Sequence, residues 1–104
     1  MNQSAFKALS DPTRRRILSL LRKRSMTAGE IADRFDLSKS TLSGHFSVLK
    51  AAGLIQEERH GNSIVYNLNL SVVEELLTAI MDLLGTDIQQ KSTSGDNSEN
   101  KLAD

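Results

Sequence analysis

The feature that most constrains this chain is a change of hydrophobic period along it. Before Gly53 the apolar residues recur at helical spacing. Between Leu54 and Leu68 they fall into two short strand-like runs, and after Ser71 the helical spacing returns. The chain is therefore read as α+β and mostly helical, with about five helices and a two-stranded β-hairpin.

The helices announce their ends. Ser4 to Leu9 suits a short first helix with Ala5, Phe6 and Leu9 apolar. A second starts at Pro12, whose missing N–H costs nothing in a first turn, behind Ser10 or Asp11 as cap. Ile17, Leu18, Leu20 and Leu21 form its inward stripe, and the arginines after Pro12 read as a solvated face. Thr27 and Glu30 have capping-box spacing for a third helix carrying Ile31, Ala32 and Phe35. Asp36 and Leu37 make a tight connection to a fourth, which Ser38 caps and Gly53 stops near Ala52. Leu54–Arg59 and Ile64–Leu68 flank His60-Gly61-Asn62-Ser63, a hairpin with a loop of about four residues. Ser71 caps a last helix, Val72–Leu84. The polar run from Gly85 onward reads as a disordered tail, so the folded domain is placed at residues 1–84 and the tail at 85–104.

Helix, tight turn, helix and hairpin together make a winged helix-turn-helix, whose second helix enters the DNA major groove. The fourth helix here, SKSTLSGHFSVLK, fits that use. Leu42, Phe46 and Leu49 share one face, while Ser40, Ser43, Gly44 and Ser47 lie around the other. Long charged residues would make a more stable exposed helix, since serine and glycine are poor helix formers. A thin face instead lets the axis approach the groove floor, and hydroxyls both donate to and accept from base edges or phosphates. No carboxylate stands between Ser38 and Ala52 to repel phosphate. The candidate DNA contacts in this helix are Ser38, Lys39, Ser40, Thr41, Ser43, Gly44, His45, Ser47 and Lys50. Ser38 doubles as a cap, and His45 sits at the edge of the apolar stripe, where it is equally a packing residue. In the wing the candidates are Arg59 and Asn62.

Charge supports this placement although the formal net charge is zero. Residues 1–50 hold 10 Lys/Arg against 4 Asp/Glu, so the basic charge is gathered in the half that carries the groove helix. A chain without cysteine has no disulfide framework and no thiolate metal site. No nucleophile elbow, glycine-rich phosphate loop or compact ligand spacing is present, so neither an enzyme nor a cofactor or metal is expected. Nothing resembles a signal peptide or a membrane span, and a cytoplasmic location with no membrane insertion is expected.

Nine of the thirteen residues in Val72–Leu84 are apolar, more than one buried face needs. A second subunit is the simplest cover for the surplus.

The segments ALSDPTRRRILSLL, MTAGEIADRFDLSKSTLSGHFSVLKAAGLI and ERHGNSIVYNLN resemble, in order and spacing, the ArsR/SmtB-like winged-helix repressors, and most of all the short, cysteine-free SdpR-type autorepressors. The resemblance implies a homodimer built from the first and last helices, through Phe6, Leu9, Val73, Leu76, Leu77, Ile80, Met81 and Leu84. It also implies operator binding by the fourth helix and the wing. Neither metal-ligand set of the family is present: MTAGEIA has no cysteine, and the last helix has no Asp/His pair. The expected function is a sequence-specific, DNA-binding transcriptional repressor, acting as a homodimer on an inverted-repeat operator. Its release would fall to a protein or small-molecule inducer, or to concentration. The alternative, motivated by the zero net charge and by Glu57 and Glu58, is a winged helix that contacts proteins without binding DNA.

Overall fold

In a computed structural model of the protein, residues 2–85 are described, with side chains from Ser4 onward. The elements in chain order are α1 (Asn2–Leu9), α2 (Pro12–Lys23), β1 (Met26–Thr27), α3 (Ala28–Ala32), α4 (Lys39–Ala51), β2 (Ile55–His60), β3 (Ser63–Leu68) and α5 (Leu70–Leu84). Apart from Gly85, the tail expected at 85–104 lies outside the described residues.

Local chemistry sets most of these boundaries. The Asp11 carboxylate accepts from the Arg14 backbone N–H, with Pro12 at the first helical position of α2. Thr27 and Glu30 form the full capping box of α3: the Thr27 hydroxyl accepts from the Glu30 N–H, and the Glu30 carboxylate accepts from the Thr27 N–H. The Ser38 hydroxyl accepts from the Thr41 N–H at the head of α4. At its other end Gly53 takes φ 77°, donating to the Lys50 carbonyl while Leu54 donates to that of Leu49. This is a Schellman closure, and its hydrophobic partners Leu49 and Leu54 are both fully buried.

Four expectations are corrected. α3 ends at Ala32 instead of running on to Phe35, and the segment between α3 and α4 spans residues 33–38. Phe35 lies beyond the helix end, its ring beneath the Arg16 guanidinium, 4.6 Å from the ring centroid. The hairpin loop is two residues, Gly61-Asn62, since His60 pairs with Ser63. Gly61 has φ 62° and Asn62 does not have positive φ, which is the II′ pattern. α5 opens two residues early, at Leu70 behind Asn69, with no side-chain cap bond and no role for Ser71 as cap. Finally, the sheet has a third strand: β1 pairs antiparallel with β3, Met26 opposite Tyr66 and Thr27 opposite Val65, giving the order β1-β3-β2.

The core joins all layers. Ile17 and Leu21 of α2, Ile31 of α3 and Leu42, Phe46 and Leu49 of α4 meet Leu54, Ile55, Tyr66 and Leu76. The rings of Phe46 and Tyr66 lie 4.7 Å apart, pinning α4 to the hairpin. Because the core takes the Leu42–Phe46–Leu49 stripe of α4, the hydroxyl face is left outside.

Candidate nucleic-acid interface

The exposed surface of α4 is made by Lys39, Ser40, Thr41, Ser43, Gly44, Ser47, Val48, Lys50 and Ala51. No carboxylate lies in that helix. Gly44 is open: a methyl group built there would meet nothing within 4 Å, so this position is thin and unobstructed. Ser38 is engaged locally, donating to the Thr41 hydroxyl at 2.9 Å besides accepting from its backbone. Two-residue turn geometry puts Gly61 and Asn62 at the exposed tip of the wing, and Arg59 is exposed on its outer strand.

Two expected contacts are placed differently. The Lys50 ammonium donates to the Glu57 carboxylate at 2.9 Å, bracing α4 against β2. His45 is not on the exposed face. Its side chain is 17% exposed, with Nδ1 at 3.2 Å from an Arg14 guanidinium nitrogen and 3.8 Å from the Asp11 carboxylate.

A separate surface lies on α5 and α1. Leu77 and Leu84 are 53% and 67% exposed, and Phe6 and Leu70 are also exposed. Leu9, Val73, Ile80 and Met81 are half-buried. Leu76, expected among them, is 5% exposed and belongs to the protomer's own core.

Residues 9–58 match the family described as "Helix-turn-helix domain". The chain is 43% identical over 81 residues to the transcriptional repressor SdpR of Bacillus subtilis, covering 78% of this chain and 90% of that protein. It is 36% identical over 80 residues to the nodulation protein NolR of Rhizobium meliloti, covering 77% and 66%. The solved structure of an ArsR-like transcriptional regulator from Rhodococcus sp. RHA1 superposes with a TM-score of 0.75 at 28% identity, over 80% of this chain and 76% of that one. The chain belongs to the ArsR family of winged-helix transcriptional regulators.

In this ArsR-family protein the arginines after Pro12 do more than coat a helix. Helix α1 ends at Leu9, leaving its last carbonyls without helical partners. Arg14 Nε donates to the Ala8 carbonyl at 2.7 Å and Nη2 to that of Lys7 at 3.3 Å. Arg15 donates to the Leu9 carbonyl at 2.7 Å. Arg16 donates to the Arg34 carbonyl at 2.9 Å, closing the turn after α3. These roles escape a reading of the chain as sequence, because a charge run looks the same whether its partners are water or backbone. The available signal was the short gap between Leu9 and Pro12, which places cations next to the carbonyl end of a helix.

Two caps and the Lys50–Glu57 pair carry an expectation for the acid response. The Arg14 N–H holds the Asp11 carboxyl below its ordinary value, the Thr27 N–H does the same for Glu30, and the Lys50 ammonium for Glu57. A carboxyl whose pKa is lower folded than unfolded stabilises the fold above its unfolded value, and that contribution is lost as pH falls through the folded value. The urea midpoint is thus expected to hold steady down to about pH 5 and to fall below about pH 4. Glu30→Gln should make that acid loss shallower. A midpoint that instead rises on acidification would contradict these assignments.

Proposed function

We propose that this protein is a homodimeric, sequence-specific transcriptional repressor that reads an inverted-repeat operator with α4 in the major groove and the wing beside it. The carrying observation is the exposed face of α4, lined by Ser40, Thr41, Ser43, Gly44 and Ser47 and free of carboxylates. The relatives support the same reading, since SdpR is itself named a transcriptional repressor. The apolar face of α5 with Phe6 supplies the dimer contact, and two-fold symmetry then places the half-sites about 34–36 Å apart, or a multiple of that. Repression follows from occupying the operator and excluding polymerase, with no catalytic step. No helix among the described residues is long and apolar enough to cross a membrane, in keeping with action on cytoplasmic DNA. A protein-binding winged helix without DNA contact is not favoured, because the α4 face carries Lys39 and no acid. Titration of the protein's own promoter region in a band-shift assay tests the proposal. Binding no tighter than to scrambled DNA of the same length would refute it.

The phosphate contacts carry a graded expectation. Each neutralised phosphate contributes about 0.9 to the slope of log K against log salt. Arg59 has no side-chain partner among the described residues, so Arg59→Ala should lower the slope by about 0.9. Lys50→Ala should lower it by less, since its ammonium already pairs with Glu57. Equal slopes for wild type and Arg59→Ala would remove Arg59 from the interface.

A further inference from the structure

We infer that Arg14 is a positioning residue for α4: it holds His45 in its Nε2–H form and ties that helix to the C-terminal end of α1. The inference rests on α4 being the DNA-facing helix.

Arginine has five N–H donors and no acceptor. An imidazole nitrogen 3.2 Å from its guanidinium must therefore be the accepting one, so His45 Nδ1 is bare and the ring proton sits on Nε2. The same guanidinium is held in place from behind. Nε donates to the Ala8 carbonyl and Nη2 to the Lys7 carbonyl, the end of α1 where the helix dipole is negative. The Asp11 carboxylate, 3.8 Å from Nδ1, is beyond hydrogen-bond reach of the ring. One side chain thus joins the last turn of α1, the first turn of α2 and the middle of α4.

Two consequences follow. Nε2–H has no hydrogen-bond partner among the described residues, so the ring keeps one unused donor. In addition, α1 carries Phe6 on the uncovered apolar surface. A shift of α1 on its partner subunit moves the Lys7 and Ala8 carbonyls, and with them Arg14 and His45. Subunit packing and the pose of the groove helix are linked through this guanidinium.

The test uses the full chain, ¹⁵N-labelled, with imidazole nitrogen shifts read at neutral pH and operator and random-DNA affinities measured on the same preparations. Wild type should show the Nε2–H imidazole. Arg14→Met, which removes every donor while keeping a helix-forming residue, should yield a mixture of tautomers and weaken operator binding about tenfold, as expected for loss of one charge-assisted hydrogen bond. Binding to random DNA should change much less. Arg14→Lys should restore part of both losses, and it carries the test if the methionine variant does not fold. Because Arg14 acts through His45, the double variant Arg14→Met/His45→Ala should bind no more weakly than the weaker single variant. An Nδ1–H or charged imidazole in an operator-binding wild type, or losses that simply add, would overturn the inference and leave the repressor reading intact. A wild type with no operator preference would overturn both.

Discussion

Leu77→Glu is expected to leave the protein folded but monomeric, and to weaken operator binding by at least about 100-fold. Leu77 is 53% exposed in the middle of α5, so truncating or charging it removes little from the protomer's own core. At helical spacing along the same side of α5 lie Leu70 and Leu84, exposed, and Val73 and Ile80, half-buried, while Phe6 is exposed on α1, which packs against α5. An apolar surface of this extent is normally covered. In an isologous dimer each substitution occurs twice, and a carboxylate buried without a partner costs several kcal/mol. A monomer reaches only one half-site, so the second half-site's contribution disappears. Sedimentation should show the monomer, circular dichroism should show retained helix, and the band shift should vanish. A variant that stays dimeric would move the subunit interface away from α5.

Ser43→Glu is the complementary case: the dimer should persist while operator binding falls by about 100-fold or more. Ser43 is exposed on α4, one turn beyond Lys39 and one turn before Ser47. Its side chain lies outside the Leu42–Phe46–Leu49 stripe, so the fold has no use for it. A carboxylate there meets phosphate charge in the groove, and like-charge juxtaposition at an interface costs several kcal/mol. Ser43→Ala should cost far less and alter base preference instead, since it removes one hydroxyl without adding repulsion. If Ser43→Glu bound the operator as wild type does, α4 would not be the groove helix.

The parts of the fold that were legible in sequence were those specified within about four residues. Thr27 with Glu30, Asp11 with Pro12, Ser38 before a polar-apolar repeat, and Gly53 at a helix end each carry their own instruction. The hydroxyl face of α4 was legible for the same reason: a period of 3.6 states which residues share a face. The two-residue turn was not legible, because the wing projects into solvent and its strand ends are as polar as its loop. β1 was not legible because two residues are too few to show alternation.

Side chains of long reach mark the other limit. Arg14 pairs with His45, Arg16 with the Arg34 carbonyl and Lys50 with Glu57, partners that only folding brings together. A cation's type does not say whether it will meet DNA, a carboxylate or a helix end. Leu76 and Leu77 are adjacent and chemically identical, yet one is in the core and the other on the surface. Short-range backbone rules, acting between neighbours along the chain, determined from sequence alone the order of the helices and the hairpin and which residues share the outer face of α4. Tertiary packing, acting between residues far apart in the chain, decided which charges are paired within the protomer and which leucines stay exposed.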